Sequence, residues 1–165
     1  MTLEEIVIVV NGKIKKMEVL RSLFCGLALN LTVFHSTIAN DMPVGAEVQS
    51  GNVEISGPTQ DHMIINQSSN KSIINWNGFS IHKKGRVDFN MPSSSSSSLN
   101  RVTGSTPSTI AGQLNSNGKV LIINPNGVMI TKDGVVKTGS FTASTLDIKN
   151  EDFLNNKFKF TGNGS

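Results

Sequence analysis

The side chains that could carry out acid–base or metal chemistry are few in this sequence and lie apart. The histidines that follow the N-terminal region, His62 and His82, lack the spacing of a metal-binding pair. The carboxylates, such as Asp88 and Asp133, are scattered, whereas a glycosidase or lyase needs two or three of them side by side. No strand is followed by the Gly-Lys-Ser/Thr loop that cradles a phosphate. We therefore predict no enzyme activity, no metal and no cofactor, with a secreted β-solenoid hydrolase or lyase kept as an alternative.

The most informative short motif is Asn124-Pro125-Asn126-Gly127. Pro125 fixes φ at about −65° for the second position of a turn, Asn124 can cap the turn through its side chain, and Gly127 closes it. Apolar runs flank the motif on both sides, so it predicts a sharp corner between two buried strands. Such a corner is expected to matter for folding and not for catalysis.

The elements around this motif are predicted to be short β-strands. Near-continuous apolar runs such as residues 120–123 favour stacked parallel coils, and coils of about 20 residues would number about five. Residues 93–98 are predicted to be an exposed serine loop, and residues 150–156 a single helical turn. The spacing of the turn signals is compatible with a sandwich, a barrel or a β-solenoid, and the solenoid is favoured. These signals are Asn77-Gly78, Gly85, Asn117-Gly118, Asn126-Gly127 and Asp133-Gly134.

The charge pattern gives little reason to expect a nucleic-acid partner. The net charge is +3 and the isoelectric point is about 9.1. However, no run of Lys and Arg is interleaved with aromatic residues, and clustering matters more than the total charge. We predict a mildly basic surface that does not bind nucleic acid.

The first 39 residues are interpreted as a signal peptide, extended relative to a simple one. Apolar residues 23–34 precede Thr37-Ile38-Ala39, which has small side chains where signal peptidase reads them, so cleavage is predicted between Ala39 and Asn40. Translation from Met17, a retained N-terminal anchor and a buried core helix are the alternatives. Cys25 lies inside the predicted signal, which leaves residues 40–165 without a thiol. The basic residues ahead of the apolar stretch are Lys13, Lys15, Lys16 and Arg21.

Several motifs follow one another in a specific order in the second half of the chain. They are Leu99-Asn100-Arg101-Val102-Thr103-Gly104, Ser108-Thr109-Ile110-Ala111-Gly112-Gln113-Leu114, Asn117-Gly118-Lys119-Val120 and Ile123-Asn124-Pro125-Asn126-Gly127-Val128. In this order they resemble the N-terminal secretion domain of filamentous-haemagglutinin-like exoproteins. The likeness extends over residues 42–160, which is most of the predicted mature chain.

The resemblance implies an all-β fold, a right-handed parallel β-helix (β-solenoid) with an N-terminal β cap and flanking strands. It also implies two-partner secretion in a Gram-negative bacterium, with Sec export through the signal peptide. A dedicated outer-membrane β-barrel transporter would recognise the domain through periplasmic recognition domains. Residues 40–165 would then be a monomeric, secreted or cell-surface domain that nucleates the folding of a large adhesin or haemagglutinin. The positions implied for transporter recognition and fold nucleation are Asn100, Arg101, Gly104, Asn124, Pro125, Asn126 and Gly127.

The sequence departs from the family pattern after the Asn-Pro-Asn-Gly corner. Met129 and Ile130 follow where related chains often have a Phe-Gly pair, and a second Asn-Pro-Asn-Leu motif is absent. Family members are usually much longer, so we expect the chain to be truncated at its C-terminus. The alternative function is a self-standing secreted β-solenoid that binds a carbohydrate or a host protein at its surface.

Overall fold

The computed structural model describes residues 5–10, 13–18, 42–56 and 61–162. The chain divides into two compact units, Met1–Ser36 and Thr37–Ser165. In the first unit, β1 (Glu5–Val10) and β2 (Lys13–Glu18) form an antiparallel hairpin. The predicted apolar signal region and the cleavage site between Ala39 and Asn40 lie outside the described residues, so both stay predictions. Among the described residues, no helix has the length and apolar character needed to cross a membrane.

The second unit is a β-solenoid of four stacked coils with three faces. Sheet I contains the parallel strands β5 (His62–Gln67), β7 (Arg86–Asn90), β10 (Gln113–Ser116) and β13 (Val135–Lys137). Sheet II contains the parallel strands β6 (Lys71–Trp76), β8 (Ser97–Val102), β11 (Lys119–Ile123) and β14 (Ser140–Ser144). The third face contains β9 (Ser108–Ile110) and β12 (Val128–Ile130), and Ile81 continues it through a bridge to Ile110. The predicted all-β solenoid is confirmed, although four coils are present where about five were expected.

The turn signals of the sequence mark the corners of the coils. Register partners in sheet I are His62, Arg86, Gln113 and Val135, so successive coils contain 24, 27 and 22 residues. Backbones at the corners approach so closely that a Cβ on Gly112 would lie 2.2 Å from the carbonyl oxygen of Gly85. Glycine is therefore required at this corner because no side chain fits between adjacent coils.

Two short antiparallel strands, one added to each main sheet, cap the N-terminal end of the solenoid, as the family resemblance implies. β3 (Glu47–Ser50) pairs with β6, and β4 (Val53–Ser56) pairs with β5. A turn at Gly51-Asn52 joins the two strands, with Gly51 at φ 85°. The cap therefore pairs the first strand of each main sheet and leaves neither with an open edge at that end.

The lumen of the solenoid holds the main hydrophobic core. Alternate side chains of both sheets point inward and meet those of the third face, and the Trp76 ring packs edge-on against Phe79 with centroids 5.3 Å apart. The buried members are Met63, Ile65, Ile74, Trp76, Phe79, Ile81, Val87, Phe89, Met91, Val102, Ile110, Leu114, Val120 and Ile122. Because each coil contributes only a few of these side chains, the core is continuous only when the coils are stacked.

Sheet II is buried on its outer face as well. Ile73, Leu99, Leu121 and Ile123 form a second apolar cluster there with Ile148, Phe153 and Phe160. The last three residues belong to β15 (Asp147–Ile148), α1 (Asn150–Leu154) and β16 (Phe160–Thr161), and we call residues 147–161 the strap. The strap contains the predicted helical turn and the predicted flanking strands. Its coverage of sheet II explains why residues 120–123 are apolar without alternation.

The predicted exposed serine loop is wrong in its second half. Ser96, Ser97 and Ser98 are buried, and β8 begins at Ser97. Ser98 Oγ lies inside the lumen, 2.9 Å from Ser72 Oγ of the coil below. A serine is tolerated there because its hydroxyl finds a hydrogen-bond partner in the neighbouring coil, which removes most of the cost of burial.

The double burial of sheet II makes a prediction about stability. Leu121→Ala on the outer face and Ile122→Ala in the lumen should each cost about 2–4 kcal/mol, because each creates a cavity. The control Met129→Ala alters a residue that is 56% exposed and should cost below about 0.5 kcal/mol. Urea unfolding followed by Trp76 fluorescence measures all three. A loss for Ile122→Ala only would show that the strap does not cover Leu121.

Candidate functional site

The predicted recognition residues lie together at one corner of the solenoid, where sheet II turns into the third face. Asn100 and Arg101 are consecutive in β8, so their side chains point to opposite faces of the sheet. In the register of sheet II, Ile122 is beside Asn100 and Ile123 is beside Arg101, and Asn124 follows directly. The two motifs, far apart in sequence, are therefore neighbours in adjacent coils.

Asn124 is the central residue of this corner and is fully buried. Its Nδ2 donates to the carbonyl oxygen of Thr106 and to Ser108 Oγ, both at 3.0 Å, and its Oδ1 accepts from the Asn126 backbone N at 2.9 Å. Its own backbone N donates to the carbonyl oxygen of Ser144 at 3.0 Å. One asparagine thus connects coils two, three and four, which an apolar residue of the same size could not do.

Asn126 connects the two sequence motifs directly. Its Nδ2 donates to the carbonyl oxygen of Gly104 at 3.0 Å. Gly104 in turn lies so close to the coil below that a Cβ would fall 2.0 Å from the carbonyl oxygen of Asn77. Asn77, Gly104 and Asn126 therefore form a column of contacts through the first three coils.

The turn and the strand that follows it, β12, are more exposed than predicted. Gly127 closes the turn by donating its backbone N to the carbonyl oxygen of Asn124 at 2.9 Å, with φ 106°. Pro125 is exposed, and in β12 Met129 is 56% and Ile130 47% exposed. The predicted corner between two buried strands is therefore correct for β11 and wrong for β12, because no described strand pairs with the outer edge of β12.

Asn100 organises a polar chain inside the lumen. Its Oδ1 accepts from Trp76 Nε1 at 3.0 Å, and its Nδ2 donates to the carbonyl oxygen of Leu121 at 3.3 Å and to Ser98 Oγ at 3.2 Å. Ser72 Oγ continues the chain by donating to Gln67 Oε1 at 2.6 Å. Sequence reasoning missed Ser72, Ser98 and Trp76, although polar residues two apart within a strand are a usable signal for one buried face.

Arg101 has a different environment, on the outer face of sheet II. Its guanidinium donates from Nε to Asp147 Oδ1 at 2.9 Å, from Nη2 to the carbonyl oxygen of Ile148 at 2.7 Å, and from Nη1 to Asn150 Oδ1 at 3.0 Å. All three acceptors belong to the strap. Nothing in the local sequence identifies these partners, because they lie 46 to 49 residues further along the chain.

The outer face of sheet I carries the strongest electrostatic cluster. Asp88 accepts from Arg86 Nε at 2.9 Å and from Asn115 Nδ2 at 2.8 Å, and its Oδ2 lies 2.7 Å from His62 Nε2. Burial alone would raise the pKa of Asp88, but the hydrogen bonds from Arg86, Asn115 and His62 outweigh it and the pKa is lowered. In the described part of the chain, no group of His, Cys, Asp or Glu is arranged to hold a metal ion.

A protein-family model for the TPS (two-partner) secretion domain matches residues 39–164. The chain belongs to the TPS secretion domain family. The crystal structure of the HMW1 secretion domain from Haemophilus influenzae superposes on this TPS secretion domain with a TM-score of 0.68 and 40% identity, over 72% of this chain and 31% of that one. The β-solenoid is thus the fold of a secretion domain.

Two curated relatives are heme/hemopexin-binding proteins of Haemophilus influenzae, one of them from strain Rd. Each is 37% identical, over 121 and 125 residues respectively. The alignments cover 73% and 74% of this chain but only 13% and 14% of the relatives. The chain therefore contains the secretion domain of a two-partner secretion exoprotein, a family that is secreted through the outer membrane, and this domain and its solenoid fold are non-enzymatic in kind.

Two glycine variants should separate backbone strain from steric exclusion in this TPS secretion domain. Gly127→Ala should cost about 1–2 kcal/mol, from positive φ alone, because no atom lies within 4 Å of the new Cβ. Gly104→Ala should cost more than this, since the new Cβ would collide with the Asn77 carbonyl. Urea unfolding of the two variants provides the comparison, and the opposite order of stability would contradict the corner geometry.

Acid should remove the contribution of Asp88 to stability. A carboxyl whose pKa is lowered by folding stabilises the fold above its unfolded pKa, and that contribution is lost as the pH falls through the folded pKa. Asp88→Asn should therefore cost about 1–2 kcal/mol at pH 7, and its difference from wild type should shrink as the pH falls below the ordinary unfolded pKa of aspartate, about 3.9. Urea unfolding of both proteins across this pH range is the measurement. A difference that stays constant with pH would show that the charge of Asp88 does not matter.

Proposed function

We propose that this secretion domain is recognised in the periplasm by a partner outer-membrane transporter and then nucleates the folding of a longer β-solenoid outside the cell. A signal peptide cleaved between Ala39 and Asn40 would deliver it through the Sec machinery. The family match begins at residue 39, next to that site. The observation that carries the nucleation role is that the solenoid is capped at its N-terminal end, while no strand of the described residues pairs with the outer edges of its last coil.

Burial of two of the predicted recognition residues, Asn100 and Asn124, supports recognition of the chain by the transporter before it folds. Asn100 and Asn124 have no exposed surface in the folded domain, and all their side-chain groups are bonded internally. A partner can therefore contact these amides only when the coils are not yet formed. Unpaired backbone of a β-prone segment would then pair with the recognition domains of the transporter by strand addition. Folding outside the cell hides the same groups, which favours release.

The open end supports nucleation of further coils. Among the described strands, none pairs with the outer edges of β12, β13 and β14. Ile130, which stacks on the fully buried Ile110, is left 47% exposed. A following coil would pair these edges and bury this side chain, so each added coil gains hydrogen bonds and apolar contact. The full exoprotein would then be a monomeric adhesin or haemagglutinin at the cell surface or in the medium, with its activity downstream.

A groove beside the N-terminal cap favours one other candidate, a self-standing secreted solenoid that binds carbohydrate. The groove has a volume of about 880 Å³ and is lined about equally by polar and apolar surface of the cap and the first coils, the polar part including Asn52, Glu54, Asn66 and Asn90. Amide and carboxylate groups suit the hydroxyls of a sugar. Binding of the purified full chain to glycans on a glycan array would favour this candidate, provided that the Asn66→Ala variant no longer binds.

The decisive experiment is a secretion assay in a Gram-negative host, with the full chain expressed alone and together with its candidate transporter. Appearance of residues 40–165 in the medium only with the transporter is the expected outcome. Release without the transporter would leave a secreted β protein with a binding role. Retention in the cell with an uncleaved N-terminus would contradict the predicted signal peptide.

Asn124→Leu and Asn126→Leu should each block transporter-dependent release, because both remove amides at the corner. Asn90→Leu makes the same change at an exposed position of sheet I and should be released normally. Gly127→Ala weakens the folded corner while keeping the amides, so its release separates recognition from stability. Export of both corner variants at wild-type levels would refute a recognition role for this motif.

A further inference from the structure

The strap lies on the outer face of sheet II and contacts three coils at once. Ile148 and Phe153 of the strap are fully buried. They pack on an apolar stripe made of Ile73 from the first coil, Leu99 from the second, and Leu121 and Ile123 from the third. Without the strap, these four side chains would face water on an otherwise complete sheet, which is unfavourable by the loss of their apolar burial.

Arg101 fixes the start of the strap. Its side chain is only 16% exposed, and three of its four bonds go to Asp147, Ile148 and Asn150, the fourth being a 3.4 Å bond to Asn75 Oδ1 within sheet II. Two of the bonds to the strap join the charged guanidinium to neutral oxygens and one to a carboxylate. Hydrogen bonds to charged groups are the stronger kind, and a planar guanidinium can hold all three acceptors in one orientation.

Lys71 fixes the middle of the strap from the first coil. Its Nζ donates to the carbonyl oxygens of Phe153 at 2.9 Å and Leu154 at 2.6 Å, at the end of α1. The Phe153 carbonyl also accepts from the Asn156 backbone N at 3.1 Å. The ammonium also lies 5.5 Å from the centroid of the Phe153 ring. Arg101 of the second coil therefore holds residues 147–150 of the strap, and Lys71 of the first coil holds the end of α1.

We propose that Arg101 and Lys71 are positioning residues that dock the strap, and that this docking locks the stacked coils. The docking surface of the strap is supplied by the first three coils, so the strap can dock only after these coils have stacked. The consequence for secretion rests on the proposed function. Residues up to 161 must leave the transporter before the strap can dock and lock the domain. Arg101 then acts through the strap and not as a contact of the transporter.

Reversal of the charges at Arg101 and Asp147, singly and together, tests the docking in the purified full chain. Hydrogen exchange of the α1 amides, measured by mass spectrometry, reports local opening of the strap. Arg101→Glu should speed this exchange about tenfold to a hundredfold, and Asp147→Arg about tenfold. The double variant should exchange at least threefold more slowly than either single variant, because the ion pair is restored in reverse. Equal or faster exchange in the double variant would overturn the proposal.

Two further variants keep the test valid if Arg101→Glu does not fold. Lys71→Met keeps the aliphatic stem and removes the donor, so the α1 amides should exchange about tenfold faster. Arg86→Glu breaks a comparable ion pair with Asp88 on sheet I and should leave strap exchange within about twofold of wild type. Strap exchange unchanged in Lys71→Met, or equally fast in Arg86→Glu, would show that the strap is not docked by these cations.

The secretion assay separates this proposal from the proposed function. The exchange measurements need no transporter, so they hold or fail independently of partner-dependent release. With the transporter present, Arg101→Glu should still be released, with a strap that proteases cleave faster than in wild type. Loss of release with normal strap exchange would mean that the transporter reads Arg101 directly, and the positioning role would be wrong.

Discussion

The whole domain depends on hydrogen bonds that run from coil to coil. Within a coil, no strand can pair with the next one, because consecutive strands belong to different sheets. Each backbone N–H and C=O in the sheets must therefore find its partner one coil above or below, and unpaired buried groups are costly. The buried side chains follow the same rule: Asn100, Asn124 and Ser98 all bond to groups in other coils. Stability is thus a property of the stack and not of any coil.

The outer faces of the two main sheets differ in polarity and in what covers them. On sheet I, Asp88 is hydrogen-bonded to Arg86, His62 and Asn115, and together they form a polar row that can face water. Sheet II presents an apolar stripe instead and requires the strap to cover it. Consequently sheet II has a core on both sides, and its strands tolerate polar residues only where a partner lies within reach.

Most of the coil architecture could be predicted from sequence, because it rests on local signals. Gly51-Asn52, Asn117-Gly118 and Asn126-Gly127 mark true turns or corners, and the apolar runs mark true strands. The partners of Arg101 and the burial of Ser98 could not be predicted, since both depend on contacts between distant segments. The same holds for the exposure of β12, which depends on what stacks next to it.

Coil length varies only where strands end, and this has a practical consequence. The second coil is the longest, at 27 residues, yet its strands keep register with both neighbours. The extra residues lie in the connections at residues 91–96 and 103–107, where Ser94, Ser95 and Ser105 are exposed. Such connections accept added length without disturbing a ladder. The connection at residues 103–107 carries the partners of Asn124 and Asn126, so the connection at residues 91–96 is the natural place to graft an epitope or a fluorescent label for tracking this domain during export.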